Sequence, residues 1–217
     1  MIGLLSQKWA QKKLKVIAFG AHCDDIEIGC GGTLLKWMSE EKIQQIIWVV
    51  FSSTEKRKLE ALQSADLYLA NIPECEIFIH DYRDAYLSFS AQEIKYQFEE
   101  IKQWMDPDVV FTHYRNDRHQ DHRLLSDLAW NTFRNHLILE YEIPKYDGDL
   151  HTPNGYVSLP TEQVDRKIEL LLGCYHSQVS KHWFDAETFK SLMRIRGLEC
   201  GSPSRYAEAF HLRKCLL

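Results

Sequence analysis

The sequence predicts an α/β fold, a Rossmann-like three-layer α/β/α sandwich with a mostly parallel central sheet and a less regular C-terminal part. Short apolar runs alternate along the chain with longer stretches of helical periodicity. This alternation is typical of a parallel sheet covered by helices on both faces. The 217 residues show no internal repeat or linker, and 45% of them are hydrophobic, so we expect one domain over residues 1–217 with a sizeable core.

The first half of the chain shows this pattern most regularly. Four apolar runs predict buried strands at 14–19, 45–51, 76–79 and 109–113. Helical stretches are predicted at 29–41, 55–70, 91–105 and 121–135. The glycine-rich segment 29–32 opens the first of these helices, and Asp106-Pro107 ends the third.

Beyond Leu137 the pattern becomes less regular. Short strands are predicted at 139–143 and 155–159, and a strand at 206–212 closes the fold. Helices are predicted at 161–174, where Thr161 can act as the cap, and at 185–196, which Gly197 ends.

Composition excludes several classes of partner. A net charge of −5 and a pI near 6.1 provide no basic surface for nucleic acid or an anionic membrane. No segment approaches the roughly 20 apolar residues of a membrane span, and residues 1–15 lack the apolar core of a signal peptide. The six cysteines form no CxxC pair, which favours reduced thiols. We therefore expect a soluble, cytoplasmic protein.

Polar side chains follow the first predicted strand directly. His22 and Asp25 are three residues apart, so a turn can direct both at one point, and imidazole and carboxylate are ordinary zinc ligands. Asp24 would lie near the metal-bound water, which needs a base. The alternative is an aspartate pair that caps the next helix beside a packed His22.

A second polar cluster follows the fourth predicted strand. His119 and His122 would be neighbours on one face of a helix, so one can complete a metal triad while the other contacts substrate. Asp121 could orient a ring by accepting its N–H. The alternative is a polar helix start with solvated histidines. Because both clusters stand at strand ends of one sheet, a metal site is favoured.

These segments together resemble a known family. The segment His22-Cys23-Asp24-Asp25, then 29–34 (GCGGTL) and 118–122 (RHQDH), is similar to the LmbE/PIG-L family of zinc-dependent N-acetylglucosamine deacetylases. Further similarity lies at 57–60, 176–178 and 206–210, so the resemblance spans most of the chain. The family's usual proline is replaced by Cys23, which we interpret as a packing residue.

The resemblance implies a role for each residue of the two clusters. It implies that His22, Asp25 and His122 hold Zn²⁺, although Fe²⁺ also suits two histidines and one carboxylate. It implies Asp24 as general base, and His119, held by Asp121, as the group that stabilises the oxyanion or protonates the leaving amine. The reaction implied is hydrolysis of an acetamide to acetate and a free amine.

Substrate contacts are expected elsewhere along the chain. Arg57 could hold a substrate hydroxyl or phosphate, or pair with Glu60 or Asp66. Asn116 and Arg118 could line the pocket or lie in a solvated loop. The resemblance alone suggests His176, Tyr206 and Glu208, and Trp183 is a candidate for stacking on a sugar.

The substrate expected from the resemblance is a small N-acetylated amino sugar, free or conjugated. Two alternatives stay open, a zinc amidase for a non-sugar amide or thiol conjugate and a non-catalytic metal-binding protein. A homo-oligomer is compatible with the sequence.

Overall fold

The computed structural model of the chain describes residues 12–215. The two ends of the predicted domain 1–217, and most of the N-terminal segment 1–15, lie outside the described residues. The strands are β1 (Leu14–Gly20), β2 (Ile43–Ser52), β3 (Glu74–Tyr82), β4 (Val109–His113), β5 (Leu137–Tyr141), β6 (Gly155–Ser158) and β7 (Ala207–His211). The helices are α1 (Asp25–Ser39), α2 (Glu55–Leu69), α3 (Ala91–Trp104), α4 (Gln120–Thr132), α5 (Thr161–Cys174) and α6 (Ala186–Glu199).

The seven strands found in residues 12–215 form one sheet in the order β3-β2-β1-β4-β5-β7-β6. The first five strands are mutually parallel, whereas β7 runs antiparallel to both β5 and β6. The chain moves outward from β1 to β3 and then returns to the other side of β1 with β4. The loops after β1 and β4 therefore separate at a topological switch point, where open α/β sheets bind ligands.

The apolar runs of the central strands fit this position in the sheet. Along β1, Val16 and Ala18 pack in the core beneath α1, α2, α5 and α6, while Ile17 and Phe19 pack beneath α3 and α4. Because successive side chains point to opposite faces, a strand covered on both faces is apolar at every position. The three-layer prediction is thus confirmed, with the antiparallel β6 and β7 as the less regular C-terminal part.

Helix α1 begins at Asp25, four residues before the predicted start at residue 29. The glycines expected to open the helix lie inside it instead, and packing explains their presence there. A Cβ on Gly29 would lie 2.1 Å from the ring of Tyr141, so the helix approaches β5 too closely for a side chain. Asp25 and Glu27 occupy the first turn, where negative charge suits the helix dipole.

The lengths and compositions of the helices also bear on the membrane prediction. Within residues 12–215, none of the helices combines the length and the apolar composition that crossing a bilayer requires.

Candidate active site

The loops after β1 and β4 meet above the switch point and form one side of a cleft of about 240 Å³. The loop after β3 and the segments 143–147 and 178–183 complete the walls. The lining residues are His22, Asp24, Asp25, Arg57, Asp84, His119, His122, Ile143, Pro144, Lys145, Tyr146, Asp147, Gln178, Lys181 and Trp183. At the surface, the exposed rings of Tyr146 and His182 stack with centroids 4.8 Å apart.

The three predicted metal ligands lie together at the bottom of this cleft. His22 Nδ1 lies 3.2 Å from Asp25 Oδ2 and 3.2 Å from His122 Nε2, and the latter two atoms are 3.6 Å apart. Nitrogen and oxygen ligands about 2.0–2.2 Å from a tetrahedral zinc lie roughly 3.3–3.6 Å from one another. The spacing and the donor types of the residues present therefore fit a metal ion.

The protonation states of Asp25 and His122 also suit a metal site. Burial opposes ionisation of Asp25, but His122, His113 and His22 hold its pKa well below the usual range. Burial and the neighbouring His113 lower the pKa of His122 to about 3, so its imidazole is neutral at pH 7. An ionised carboxylate and a neutral imidazole are the forms that bind metals.

The outer ring nitrogen of each candidate histidine ligand faces a carboxylate. His122 Nδ1 lies 2.9 Å from Asp117 Oδ2, and His22 Nε2 lies 3.0 Å from Asp84 Oδ1. Metal-binding histidines commonly have such partners, which fix the orientation of the ring. Against the penalty of burial, the carboxylates of Asp25, Asp121 and Asp84 hold the pKa of His22 well above its usual value. This excess of negative charge favours a cation.

Asp24 stands next to the ligands and is almost fully buried, at 3% exposure. Its Oδ1 accepts a hydrogen bond from Arg57 Nη2 at 2.7 Å, while its buried Oδ2 has no hydrogen-bond partner within residues 12–215. Burial raises the pKa of Asp24, the Arg57 guanidinium opposes the rise, and Asp25 adds to it. Burial also raises the pKa of nearby Glu27 to about 8, so Glu27 is mostly protonated at pH 7. Asp24 is thus a candidate base with one oxygen available.

His119 is the N-terminal cap of α4 and lines the cleft beside His22, with ring centroids 4.8 Å apart. Its Nδ1 accepts a hydrogen bond from the backbone N–H of Asp121 at 3.3 Å, which assigns the ring proton to Nε2. Burial and the neighbouring His22 lower the pKa of His119. The ring is therefore suited to donate a hydrogen bond in its neutral form.

The carboxylate of Asp121, expected to hold His119, lies within 4.8 Å of a ring nitrogen of that histidine, but its hydrogen bonds within the described residues are to backbone groups. Its two oxygens accept hydrogen bonds from the backbone N–H groups of Ala85 at 2.8 Å and Leu87 at 3.2 Å. Its Oδ2 also lies 3.6 Å from His22 Nε2. Asp121 thus fixes the loop that carries Asp84 and adds a second carboxylate beside His22.

His113, at the end of β4, is a site residue that the sequence interpretation missed. The ring is fully buried and stacks on His122, with centroids 3.8 Å apart and an interplanar angle of 16°. Its Nε2 accepts from the backbone N–H of Ala21 at 3.0 Å and lies 3.2 Å from Asp25 Oδ2. His113 therefore connects the two loops beneath the ligands.

The thiol of Cys23 points away from the ligands, because it donates to the carbonyl of Ser52 at 3.5 Å. Burial raises the pKa of this thiol to about 12. Cys23 is thus a packing residue of the turn.

The candidate substrate residues separate into different parts of the molecule. Arg57 lines the cleft, but it pairs with Asp24 rather than with Glu60 or Asp66. Asn116 and Arg118 are exposed and line a neighbouring pocket instead.

Two of the three C-terminal candidates, His176 and Tyr206, do not line the cleft. His176 is exposed and does not line it, whereas Gln178, two residues later, does. Tyr206 is half-buried with the Arg194 guanidinium 5.5 Å from its ring, also outside the cleft. Trp183 does line the cleft.

Glu208 is not placed to contact substrate, because it is buried inside the fold against α1. Its Oε1 accepts from the N–H of Gly32 at 2.7 Å and its Oε2 from Thr33 at 2.6 Å. Lys167 Nζ lies 2.7 Å from Glu208 Oε1 and donates to the carbonyl of Ile28 at 2.6 Å. The pair thus binds backbone groups one helical turn apart in the helix that begins with Asp25.

We expect Lys167→Met to lower the free energy of unfolding by about 3–5 kcal/mol, because it leaves the Glu208 carboxylate buried without its cation. Denaturant unfolding measures the loss. Lys190→Met is the matched control, since Lys190 pairs with Asp165 at an exposed position and its loss should cost less than about 1 kcal/mol. Equal destabilisation by the two variants would refute this assignment.

Comparison with known proteins places the chain in a family and a fold. A family model described as PIG-L: GlcNAc-PI de-N-acetylase matches residues 17–133, more than half of the chain. Similar solved structures include N,N'-diacetylchitobiose deacetylase from Pyrococcus horikoshii, with a TM-score of 0.69 and 22% identity over 96% of this chain and 86% of that one. The zinc-inhibited form of teicoplanin deacetylase Orf2 has a TM-score of 0.70 and 13% identity, covering 91% of this chain and 97% of that one.

The same fold also occurs with another activity. GalB, the 4-carboxy-2-hydroxymuconate hydratase from Pseudomonas putida KT2440, matches with a TM-score of 0.71 and 15% identity over 94% of this chain and 97% of that one. At 13–22% identity, the similar structures establish only the fold. The family of the chain is established by the family model that matches residues 17–133. The chain belongs to the PIG-L family of de-N-acetylases.

Proposed function

We propose that this protein is a zinc-dependent hydrolase that removes the acetyl group from an N-acetylated amino sugar, free or conjugated. The observation that carries the proposal is the set of His22, Asp25 and His122 next to the buried Asp24, in one cleft of a de-N-acetylase family member. The similar structures support the substrate class, since one is named as a diacetylchitobiose deacetylase and another as a teicoplanin deacetylase.

His22, Asp25 and His122 would hold the metal. Zinc suits two imidazoles and a carboxylate, and iron is the alternative divalent ion for the same donors. A zinc ion bound there would polarise the acetamide carbonyl and lower the pKa of a water molecule.

Asp24 accepts the proton of the attacking water on its free Oδ2. Arg57 holds Oδ1 at 2.7 Å, so the carboxylate keeps one orientation, and the burial that raises its pKa makes it a stronger base than a solvated aspartate. The water oxygen bonds to the carbonyl carbon, the C–N bond breaks, and Asp24 returns the proton to the leaving amine. The products are acetate and a free amino sugar.

His119 stabilises the negative charge that develops on the carbonyl oxygen. The contact of Nδ1 with the Asp121 N–H leaves the proton on Nε2, and the lowered pKa keeps the ring neutral. This favours hydrogen-bond donation over protonation of the leaving amine, the other role considered for this residue. Donors to an oxyanion of this kind are typically worth about 10²–10³ in rate.

Sugar recognition is proposed for the cleft walls. Trp183 offers an apolar ring face to a sugar ring, and Arg57 keeps an edge toward the cleft while paired with Asp24. The cytoplasmic location and a homo-oligomeric state stay predictions.

The experiment that tests the function measures acetate release by the zinc-loaded protein from a panel of substrates. The panel contains N-acetylglucosamine, N,N'-diacetylchitobiose, an N-acetyl amino acid and an N-acetylated thiol conjugate. We expect kcat/KM to be at least about tenfold higher for the sugars, because a site with polar groups placed for hydroxyls discriminates against analogues without them.

Faster release from the amino acid or the thiol conjugate would instead favour an amidase of the second class. No release from any substrate by protein that binds stoichiometric metal would favour a non-catalytic protein.

A further inference from the structure

Gln178 carries a buried hydrogen-bond acceptor that the proposed mechanism does not use. The side chain lines the cleft, and the residue is only 4% exposed. Its Oε1 has no hydrogen-bond partner among residues 12–215. Buried acceptors without a donor are uncommon in native proteins, because the lost contact with water is not replaced. Such an atom on a cleft-lining side chain indicates that a ligand supplies the donor.

The orientation of the Gln178 amide follows from its hydrogen bonds toward α2. Ser177 Oγ donates its single proton to Glu60 Oε2 at 2.5 Å, and the Ser177 N–H donates to Glu60 Oε1 at 2.8 Å. The Ser177 oxygen can then only accept, and it accepts from Gln178 Nε2 at 2.8 Å. The NH₂ group is therefore the end of the amide that faces Ser177, and Oε1 is the end without a partner.

Regular structure holds both ends of this set of hydrogen bonds. Glu60 is buried on α2, one helical turn after Arg57, which pairs with Asp24. The Gln178 N–H donates to the carbonyl of Tyr175, the cap of α5, at 2.9 Å. A binding group that is already held in place loses little conformational entropy when its ligand arrives. The carbonyl of Gln178 is thus preorganised beside the proposed base.

The chemistry of the unpaired atom restricts the ligand. An amide carbonyl oxygen accepts hydrogen bonds and donates none, so its partner is a hydroxyl or an N–H group. The same segment of the chain brings Trp183 to the cleft, and its ring offers an apolar face. Binding sites commonly combine apolar surface with a few polar groups that fix the orientation of the ligand. A sugar ring, with an apolar face and hydroxyl groups along its edge, suits both residues.

We propose that Gln178 Oε1 accepts a hydrogen bond from one hydroxyl group of the substrate sugar. Gln178 is then a specificity-determining residue, and Ser177 and Glu60 are positioning residues that act through its amide. The assignment of the ligand as an amino sugar rests on the proposed function. Amides without a hydroxyl group are disfavoured, because they leave the buried carbonyl unpaired.

The first test measures binding to the metal-loaded protein by calorimetry. The probes are glucosamine and its four monodeoxy analogues, each of which lacks one hydroxyl group. We expect the wild type to bind one analogue about tenfold or more weakly than glucosamine. Gln178→Met has a similar size and no carbonyl. It should bind glucosamine about tenfold more weakly than the wild type does, with no further loss for that one analogue.

Gln92→Met is the matched control for this substitution. Gln92 is an exposed glutamine on α3 whose amide contacts Tyr96, and its replacement should leave every Kd within about twofold of the wild-type value. Thermal melting shows whether the variants are folded. The proposal is overturned if the wild type binds glucosamine and all four analogues equally, or if Gln178→Met loses the same factor with each of them.

A second pair of variants tests the positioning role and leaves Gln178 in place. Ser177→Ala removes the acceptor for Nε2, so the amide can turn, and the preference for glucosamine over the critical analogue should fall by about threefold or more. Ser177→Thr keeps the hydroxyl and should restore the preference. General destabilisation would weaken all ligands alike and leave this ratio unchanged. An unchanged ratio in Ser177→Ala would overturn the positioning role.

Acetate release separates this proposal from the proposed function. Release from N-acetylglucosamine without coupling between Gln178 and any hydroxyl group would overturn the present proposal alone. Coupling in a protein that releases no acetate would support the hydroxyl contact and overturn the proposed function.

Discussion

Asp24→Asn should lower kcat for acetate release by about 10²–10⁴, because the amide cannot accept the proton of the attacking water. The variant keeps the size of the side chain and a hydrogen-bond acceptor for Arg57, which contacts Oδ1 at 2.7 Å. It removes the second carboxylate oxygen, which is buried and has no hydrogen-bond partner among the described residues. Acetate release under single-turnover conditions isolates the chemical step.

Two measurements make the loss at Asp24 specific. Metal content should stay at the wild-type level, since Asp24 is not one of the three proposed ligands. Asp127→Asn, an exposed aspartate on α4, should leave kcat within about twofold. An Asp24→Asn variant with wild-type turnover would show that another group is the base.

Removal of one ligand should abolish both metal binding and activity. His122→Ala leaves His22 and Asp25 without their third partner at 3.2 and 3.6 Å, and two donors hold zinc poorly. We expect less than a tenth of the wild-type metal content by elemental analysis, and acetate release below about 10⁻³ of the wild-type rate. Dialysis of the wild type against a chelator should give the same loss, and added zinc should reverse it.

A milder variant tests whether the carboxylate of Asp117, which contacts His122, raises metal affinity by orienting that imidazole ring. Asp117→Asn keeps the ligand but weakens the contact to Nδ1 at 2.9 Å, and such changes cost about 10–100-fold in metal affinity. Competition with a chromophoric chelator measures this affinity. His136→Ala, at a histidine that pairs with Asp106, is the control.

The result that would contradict the proposed ligand set is one tightly bound metal ion per chain in the His122→Ala variant.

The fold could be predicted because its central strands are buried on both faces, and such strands are apolar at every position. The start of α1 could not, since glycines are poor helix formers and a run of them reads as a boundary. The contact of Gly29 with Tyr141 outweighs this local preference, and it depends on a strand more than a hundred residues later. Tertiary packing of this kind leaves no trace in local periodicity.

The difference between local sequence motifs and tertiary contacts also explains which site residues were predicted from the sequence and which were missed. His22, Asp25 and His122 stand in short motifs, and the structure brings them together. Asp84 stands in no recognisable sequence motif. It comes close to His22 through the path of the loop after β3, which the sequence does not indicate. Asp117 lies five residues before His122, and a search for carboxylates near this candidate histidine ligand could have found it.

Glu208 was predicted to contact substrate, but the structure places it inside the fold. It belongs to a segment that resembles the family, and resemblance does not distinguish a residue that touches substrate from one that supports a helix. Its hydrogen bonds to Gly32 and Thr33 define the latter role.

The cleft is built from two stretches of the chain. The proposed ligands, Asp24 and His119 all lie within the family match at 17–133, while Tyr146 and Trp183 come after it. The proposed chemistry and the proposed choice of substrate are therefore assigned to different halves of the polypeptide. The later half also supports the earlier one, because Lys167 and Glu208 bind backbone groups of the helix that begins with Asp25 and Tyr175 donates to the carbonyl of Cys23.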